Sequence, residues 1–582
     1  MDWLPLSVGI FIRILLIGVP GFKADVAFWK GWGLAVADRG IIWLANNTNY
    51  NYPPGFAYIL WLVNKTYALF LNPYNISQYW LDNNYLYLFI FKLITIISDV
   101  GIFFLIIKIS EKFKFKWGKL LAVFYLLNIV TIFDGVIWGQ VDQFGVFLLL
   151  ISVYLLIIER PYRAAVFFTI ACLMKMQNII FIPIFFLFIY KKFEIKGLLR
   201  SIIYAFITFA IITIPFWTGH QMASLVRLFT INSDWFPWIS LNAFNAWWVY
   251  SGLNGMAISD KTLLIGIINA KQFGLLLFSF VYFIICLRLF LSRKEDLLKD
   301  FVLSLALATF SFFHLLTQSH ERYLFPLLGL IPVFFIVKKE KNISSSLMFF
   351  LLLSLGIFAN MYISCAMNYP DQVFWPVSVD ITRTLTLYVS IFQVLIFLFF
   401  FIKYYFEWIK KYWYYVIVSV IIFVGFLVLK NMRYNLAMKI DLNEIKDVSH
   451  SQDYLEPVAN MTVESSRGGL YWNRLSNNYF FYNKGIGAHA NSEINYSIKG
   501  KFSTFETDFG IDTEGSEANK AYFIILGDGR ELYRSKPMGK FDLPGTVKVK
   551  IVNVNTLTLK IIKAQESIVG LHADWLSPTL TK

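Results

Sequence analysis

The 582-residue sequence is poor in charged residues and in cysteine. Only 15% of its residues are charged, whereas 57% are hydrophobic and 19% aromatic, which excludes an ordinary soluble protein and predicts an integral membrane protein. The three cysteines, Cys172, Cys286 and Cys365, are widely spaced in or beside apolar runs. This spacing fits neither a disulfide framework nor a cysteine metal site, so we expect all three to be structural.

The chain also lacks the short motifs of several enzyme classes. It has no DxD or HExxH metal signature, no GxxxxGK[ST] phosphate loop and no GxSxG nucleophile turn. We therefore predict no metal, no cofactor and no nucleotide-sugar donor. The net charge of +15 does not predict a nucleic-acid partner, because Lys and Arg cluster in short segments between apolar runs, as in cytoplasmic loops.

Apolar runs that approach the roughly 20 residues needed to cross a bilayer dominate the sequence up to residue 430. The first run has no basic segment or cleavage site before it, so we expect a retained span in contact with membrane lipid. The run at 163–190 is interrupted by Lys175 and Gln177 and is interpreted as two short spans. About thirteen crossings result, near 4–20, 86–107, 119–137, 141–158, 163–190 (two), 198–217, 263–291, 301–317, 323–337, 347–364, 385–403 and 413–430.

Basic loops predict the orientation. Six of them lie at 108–119, 159–163, 190–200, 291–300, 338–342 and 403–413. All six are cytoplasmic if the N-terminus is cytoplasmic and the run at 56–71 is a helix on the outer surface. The first loop, 21–85, and the region after 430 are then external.

From about residue 431 the chain alternates short apolar and polar stretches, such as TVKVKIVNVNTLTLKII at 546–562. Turn signals separate these stretches, a pattern typical of a β-sandwich. The predicted fold is a polytopic α-helical membrane domain over 1–430 followed by an external β-sandwich domain over 431–582.

Several polar residues stand at the predicted external ends of spans. Asp25, just beyond the first span, is either a helix cap or a general base that takes a proton from an acceptor hydroxyl. Tyr52 precedes a rigid Pro-Pro turn and is a candidate contact for the acceptor or the sugar. Gln140 and Asp142 are either a capped polar turn or ligands for sugar hydroxyls.

Two further segments carry similar alternatives. Lys175, with Gln177 beside it, either snorkels to the membrane surface or binds a phosphate. Asn242 and Asn245 lie in SLNAFNAWW, which is either an interfacial aromatic belt or a sugar-binding segment.

The segment QSHERYLFP at 318–326 separates two apolar runs. Its three ionisable residues are either a snorkelling cluster or a site for a phosphate. Arg322 offers a planar fork that can hold a phosphate bidentately. His320 could hydrogen-bond the departing phosphate or a sugar hydroxyl, with Glu321 orienting the imidazole.

The motifs KADVAFW, NYPPG, LITIISD, WGQVD, KMQN, SLNAFN and SHERYLFP, in this order, resemble the polytopic GT-C glycosyltransferases. The resemblance is strongest to mannosyltransferase-like members and to the glucosyltransferases that use dolichyl-phosphate glucose. It implies a GT-C fold over residues 1–430 and inverting transfer of a hexose, mannose or glucose, from a polyprenyl-phosphate donor to a glycan or glycolipid hydroxyl. Asp25 would be the catalytic base, and His320–Arg322 would lie near the donor phosphate. Val26, rather than a second acidic residue, follows Asp25, so a protein acceptor is disfavoured.

The stretches 484–512, 523–538 and 572–580 resemble the NPCBM carbohydrate-binding modules. The resemblance implies that His489, Asn491, Asp574 and Trp575 lie near a glycan site or near structural sites. Val552 and Asn553 replace a usual Gly and Ala, which leaves sugar binding open. The module favours a bacterial plasma membrane over the endoplasmic reticulum.

The alternative function is a polytopic transporter or a flippase of lipid-linked glycans. Such transporters tend to show repeat symmetry and polar residues near the bilayer midplane. Here the polar residues cluster at the predicted external ends of spans, which favours the transferase.

Overall fold

The computed structural model describes residues 3–230, 236–265, 268–369, 379–436, 439–467, 473–478 and 480–582. The chain divides into two compact units. The first comprises Met1–Asn232, Ser240–Gly255 and Gly274–Ile417, and the second comprises Ser233–Ile239, Met256–Phe273 and Val418–Lys582.

The first unit is built from helices. In chain order the helices are α1 (Leu4–Leu16), α2 (Lys23–Asn47), α3 (Pro54–Ala68), α4 (Ile76–Tyr79), α5 (Tyr85–Lys112), α6 (Gly118–Leu126), α7 (Ile129–Ile132), α8 (Asp142–Ile157), α9 (Pro161–Met174), α10 (Ile182–Ile212), α11 (Ile214–Thr218), α12 (Met222–Thr230), α13 (Ala246–Tyr250), α14 (Ala270–Leu291), α15 (Leu297–Leu315), α16 (Pro326–Lys338), α17 (Ile343–Asn368), α18 (Val379–Lys411) and α19 (Trp413–Leu436). A π-helix, Phe133–Trp138, follows α7, and a 3-10 helix, Met176–Phe181, precedes α10.

Six helical segments of the described chain are long and apolar enough to cross a membrane. They are Tyr85–Lys112, Met176–Ile212, Ala270–Leu291, Leu297–Leu315, Ile343–Asn368 and Thr382–Lys411. A seventh candidate is the bent pair Gly118–Leu126 and Ile129–Trp138, whose halves meet at 40°. The predicted helical region rich in apolar helices is confirmed, while the count of thirteen crossings stays a prediction.

Two predicted loops are helical. The first external loop contains the 25-residue helix α2, which packs Trp29 against Phe56 of α3 with ring centroids 5.1 Å apart. The basic segment at 190–200, predicted as a loop, lies inside α10, where Glu194 (φ 58°, ψ −173°) makes a sharp break. The mixture of charged and aromatic residues in α2 hid its helical periodicity in the sequence. In α10 a single non-helical residue, Glu194, takes the place of the second predicted loop.

The described part of the second unit contains two large antiparallel sheets and two small two-stranded sheets. The strands are β1 (Leu263–Ile265), β2 (Ile268–Asn269), β3 (Lys439–Asp441), β4 (Asp447–Gln452), β5 (Val458–Ala459), β6 (Leu475–Asn477), β7 (Phe480–Tyr482), β8 (Gly485–His489), β9 (Ser492–Ser497), β10 (Thr504–Ile511), β11 (Ala521–Gly527), β12 (Arg530–Arg534), β13 (Gly545–Lys550), β14 (Thr556–Lys563) and β15 (His572–Thr581). One large sheet has the order β13-β10-β15-β8-β5, with β3 also paired to β15, and the other large sheet has the order β12-β11-β14-β9-β4. The small sheets are β1-β2 and β6-β7.

The two sheets enclose one apolar core, so the predicted β-sandwich is confirmed. Trp575 of β15 is fully buried and meets Phe523 of β11 edge-on at 5.2 Å. The last segment of the second unit begins at Val418, and the predicted domain boundary at 430/431 stays a prediction. Residues 256–273 also belong to the second unit, in which Lys261 Nζ donates to the Asn460 carbonyl oxygen at 2.7 Å.

Candidate functional site

Asp25 lies in the first turn of α2, where a carboxylate interacts favourably with the helix dipole. Its Oδ2 atom accepts hydrogen bonds from Trp138 Nε1 at 3.1 Å and from Gln140 Nε2 at 2.5 Å. No described residue donates to Oδ1. The carboxylate is therefore held through one oxygen, while the other is available to a ligand.

A close backbone approach brings Asp25 to these two donors. The Phe22 amide donates to the Trp138 carbonyl oxygen at 2.7 Å, and the two rings stack at 5.1 Å. Gly21 permits this approach, because its φ is +83° and an added Cβ would lie 2.8 Å from that carbonyl. The start of α2 and the end of the π-helix are thus joined directly.

Asp142 is the first residue of α8 and is 2% exposed. Its Oδ1 accepts a short hydrogen bond from Lys175 Nζ, and its Oδ2 lies 3.7 Å from Arg322 Nε. Lys175 adopts an extended conformation between α9 and the 3-10 helix. The predicted break in the span therefore places its ammonium group on Asp142, and the two cations converge on one buried carboxylate.

His320, Glu321 and Arg322 lie in the loop between α15 and α16. Arg322 Nη1 donates to Glu321 Oε1 at 2.5 Å, and His320 Nδ1 lies 3.8 Å from Glu321 Oε2. Burial alone would raise the pKa of Glu321, but Arg322 and His320 together lower that pKa to about 2. Burial lowers the pKa of His320, which favours the neutral imidazole. The side chain of His320 is 24% exposed, so it can reach a ligand.

Tyr52 and Gln177 lie at the edge of this group of charged side chains. The hydroxyl of Tyr52 has its pKa raised by burial and feels the charges of Arg322, Asp25 and Asp142. Gln177 Nε2 donates to the Tyr323 carbonyl oxygen at 3.4 Å, in the loop that carries Arg322. Both residues therefore belong to the cluster formed by Asp25, Tyr52, Gln140, Asp142, Lys175, Gln177, His320, Glu321 and Arg322.

The two predicted asparagines differ. Asn242 pairs with His320 through the backbone, and its buried Oδ1 meets no donor among the described residues. Asn245 is fully buried and caps α13, because its Oδ1 accepts from the amides of Trp247 and Trp248. Its Nδ2 donates to the Phe313 carbonyl oxygen. The predicted sugar contact at Asn245 is therefore replaced by a structural role.

The predicted glycan contacts in the second unit lie mostly in its interior. Trp575 and Asp574 are fully buried, and His489 is 2% exposed. Asn491 uses its amide within the domain, where it donates to Asp453 at 2.9 Å and accepts from the Lys563 amide at 2.9 Å. Asp574 and Trp575 point to opposite faces of the sheet, and both faces are covered here. Both residues therefore fit the structural alternative, and a glycan contact by either stays a prediction.

Three aromatic residues that border predicted site residues, two in the first unit and one in the second, were not predicted as site residues themselves. Trp138 donates to Asp25. Tyr369 packs edge-on against Phe22 at 4.3 Å, and its hydroxyl feels the charges of Asp25 and Glu321. In the second unit Tyr454 lies 5.1 Å from the ring of His489. Of the three, only Trp138 lies in a motif that the sequence analysis singled out, WGQVD.

Residues 440–581 match the model of the NPCBM/NEW2 domain family. A Renibacterium salmoninarum protein named as an endo-alpha-N-acetylgalactosaminidase is 33% identical over 94 residues, which are 16% of this chain and 6% of that protein. The chain thus spans a small part of the curated relative that it matches.

Solved structures give further similarities. The CBM51 from Clostridium perfringens GH95 in complex with methyl-galactose is 30% identical, covering 25% of this chain and 99% of that chain, with a TM-score of 0.22. The arabinosyltransferase EmbB from Mycobacterium smegmatis is 11% identical, covering 99% of this chain and 64% of that chain, with a TM-score of 0.30. These TM-scores are too low to establish a fold. The family match over residues 440–581 does confirm the predicted NPCBM-type module in the C-terminal domain.

Proposed function

We propose that this protein is a membrane glycosyltransferase that moves a hexose, mannose or glucose, from a polyprenyl-phosphate donor to a glycan or glycolipid hydroxyl. Transfer would occur on the external face of a bacterial plasma membrane. The arrangement around Asp25 carries this proposal, because one carboxylate oxygen is fixed by two donors and the other is free. Lys175 and Arg322 belong to the same cluster and suit a phosphate leaving group.

The mechanism assigns a role to each part of the cluster. Asp25 Oδ1 takes the proton of the acceptor hydroxyl, whose oxygen attacks the anomeric carbon as the sugar–phosphate bond breaks with inversion. The electron pair of that bond leaves with the lipid phosphate. Lys175 and Arg322 stabilise the charge that develops on the phosphate, and they exchange their contacts with Asp142 for contacts with the donor.

An apolar cleft supports a lipid-linked donor. Its volume is about 560 Å³, and its walls come from α9, the 3-10 helix, α10 and α12, including Leu173, Ile179, Phe186 and Phe229. Leu173 precedes Lys175 by two positions in the chain, so the cleft borders the segment that carries this lysine. The hydrophobic lining favours an isoprenoid over a soluble nucleotide donor.

The C-terminal domain would hold the acceptor or product glycan. Tyr454, His489 and His572 form a ring cluster with centroids 5.1 to 6.3 Å apart. The guanidinium of Arg467 lies 5.6 Å from the Tyr454 ring centroid. His572 faces Glu514 and Glu464 at 3.2 and 3.7 Å. The partly exposed ring of Tyr454 and the exposed Arg467, beside the buried His489 and His572, suit sugar recognition, which supports a glycan site here rather than at Trp575.

A donor panel tests the function. Purified protein is incubated with polyprenyl-phosphate mannose, polyprenyl-phosphate glucose and the matching nucleotide sugars, together with envelope glycolipids, and release of lipid phosphate is followed. We expect release from one lipid-linked hexose and none from the nucleotide sugars. Movement of a lipid-linked glycan across reconstituted vesicles without sugar transfer would support a flippase instead.

Gln140 is expected to position Asp25 without reacting itself. Gln140→Met keeps the size of the side chain but removes the 2.5 Å hydrogen bond, so kcat should fall by about 10- to 100-fold with an unchanged KM for donor. Gln140→Glu places two carboxyl groups in contact, which share a proton, so the acidic limb of the pH–rate profile should move to higher pH. A purely structural role for Gln140 would leave that limb in place. Gln78→Met, at a partly exposed glutamine, is the control.

A further inference from the structure

A second cavity in the first unit lies between the break in α10 and the segment that joins α14 to α15. Its volume is about 370 Å³, and its lining includes Lys191, Glu194, Ile195, Ser292 and Lys294. Lys191 Nζ donates to the Phe290 carbonyl oxygen at 2.6 Å. This hydrogen bond joins the two segments at one side of the cavity.

Three turning points of the chain meet at this cavity. α14 ends at Leu291, α15 begins at Leu297, and α10 breaks at Glu194. Each of these helices belongs to a segment that is apolar and long enough to cross a membrane, and the segment Met176–Ile212 has 37 residues, more than the roughly 20 that one crossing needs. A chain that turns between spans does so at a membrane surface. We therefore expect the cavity to lie at the level of the lipid headgroups.

The charged side chains that line the cavity are not compensated by the described part of the chain. Lys191, Glu194 and Lys294 form no ion pair with any described residue. Lys191 uses one of its N–H groups on the Phe290 carbonyl oxygen and keeps the others. The charges beside the cavity are paired with each other, in the pairs Lys192–Glu159, Arg293–Glu295 and Lys299–Asp296. Two ammonium groups and one carboxylate therefore remain for a ligand.

The backbone at Glu194 also points to a role for its side chain. Its φ of 58° and ψ of −173° fall in a region that glycine adopts readily and other residues adopt under strain. Strained residues of this kind tend to lie at functional sites. Glycine would make the same break at lower cost, so the break alone does not explain a glutamate whose side chain lines the cavity.

An apolar surface leads away from the cavity along α10. Ile195 lines the cavity, and Leu199, Ile203, Ile207 and Ile211 follow it at four-residue intervals. All five side chains are 49 to 64% exposed. Residues four positions apart lie on the same face of a helix. The stripe is therefore a surface for acyl chains that begins at the charged cavity.

We propose that this cavity binds the headgroup of a phospholipid that carries both a phosphate and a primary ammonium group, as phosphatidylethanolamine does. Lys191 and Lys294 donate to the phosphate, Glu194 accepts from the ammonium group, and the acyl chains lie on the stripe that begins at Ile195. Phosphatidylglycerol has no cation for Glu194, and the quaternary ammonium of phosphatidylcholine has no N–H to donate. The site rests on the membrane placement of the first unit and not on the proposed sugar transfer.

A lipid panel tests the site. Delipidated full-length protein in detergent is titrated with phosphatidylethanolamine, phosphatidylglycerol, phosphatidylcholine or free phosphoethanolamine, and bound molecules are counted by native mass spectrometry. We expect one tightly bound phosphatidylethanolamine, with an affinity at least about fivefold higher than for the other two lipids. Free phosphoethanolamine should not bind at the same concentrations, because it has no acyl chains. Equal binding of phosphatidylglycerol, or equal binding of free phosphoethanolamine, would overturn the proposal.

Variants separate the headgroup contacts from the fold. Glu194→Gln should abolish the preference for phosphatidylethanolamine over phosphatidylglycerol, whereas Lys191→Gln/Lys294→Gln should weaken the binding of both lipids by about tenfold. Glu295→Gln, at a glutamate that is 73% exposed in the same connecting segment, is the matched control and should bind as wild type does.

Glu194→Gly removes the carboxylate and the backbone strain together. It should lose the lipid preference and yet unfold at no lower temperature than wild type, so misfolding cannot account for the loss. A preference that survives in both Glu194 variants would show that no ammonium group contacts Glu194, and the proposed site would be wrong.

Discussion

Asp25→Asn is expected to lower the rate of sugar transfer by about 10²- to 10⁴-fold, because it removes the general base and leaves the shape of the side chain unchanged. The asparagine oxygen can still accept from Trp138 and Gln140, so the start of α2 should keep its place. Single-turnover release of lipid phosphate, measured with saturating donor, isolates the chemical step. We expect donor affinity to stay within about threefold of wild type, because the base contacts the acceptor rather than the lipid phosphate.

Asp38→Asn is the matched control for this prediction. Asp38 lies on the same helix, and its carboxylate accepts from the Tyr74 hydroxyl at 2.5 Å near the surface. The control makes the same chemical change outside the cluster and should transfer at the wild-type rate. If Asp25→Asn also transfers at the wild-type rate, the base must be another carboxylate, and the proposed mechanism fails.

Membership of the cluster could be predicted from the sequence, whereas its pairings could not. Asp25, Gln140, Asp142, Lys175 and Arg322 all stand at ends of helices, and a consistent orientation of the basic loops placed those ends on one side. The contact between Lys175 and Asp142 joins residues 33 positions apart. This contact depends on how α8 and α9 pack against each other, which no local sequence pattern predicts. Lys175 and Arg322 were expected to be available to a phosphate, but each is already paired with a carboxylate.

Burial was the other property that the sequence could not supply. A polar residue beside aromatic residues predicts either a sugar site or a cap, and Asn245 is a cap because its amide faces the first amides of α13. Strand alternation predicts that Asp574 and Trp575 point to opposite faces. It does not predict that Met461 and Asn477 lie over Gly487 and Gly510 and cover the outer face there. Contacts between distant segments decide both cases.

Arg322→Gln is the second variant with a large expected effect, and its result must be separated from misfolding. Removing the guanidinium leaves Glu321 buried without its strongest partner, which should destabilise the protein by about 3 to 5 kcal/mol. The double variant Arg322→Gln/Glu321→Gln leaves no unpaired charge at this point, so it should recover most of that stability.

If Arg322 stabilises the phosphate leaving group, the double variant should fold normally and still lose about 10²- to 10³-fold in kcat/KM for the donor. Arg322→Lys should recover part of the rate, since it restores the charge but not the bidentate geometry. Arg293→Gln, at an arginine that is 73% exposed, controls for the loss of one positive charge.

Because the pKa of Glu321 in the wild type is lowered to about 2, the ion pair between Glu321 and Arg322 persists above about pH 4 and weakens only as the pH falls toward 2. Without Arg322, burial raises the pKa of Glu321, so the single variant should lose stability relative to the double variant as the pH rises. A double variant that transfers as well as wild type would mean that the positive charge of Arg322 only neutralises Glu321 and Asp142, and Lys175 alone would then face the phosphate.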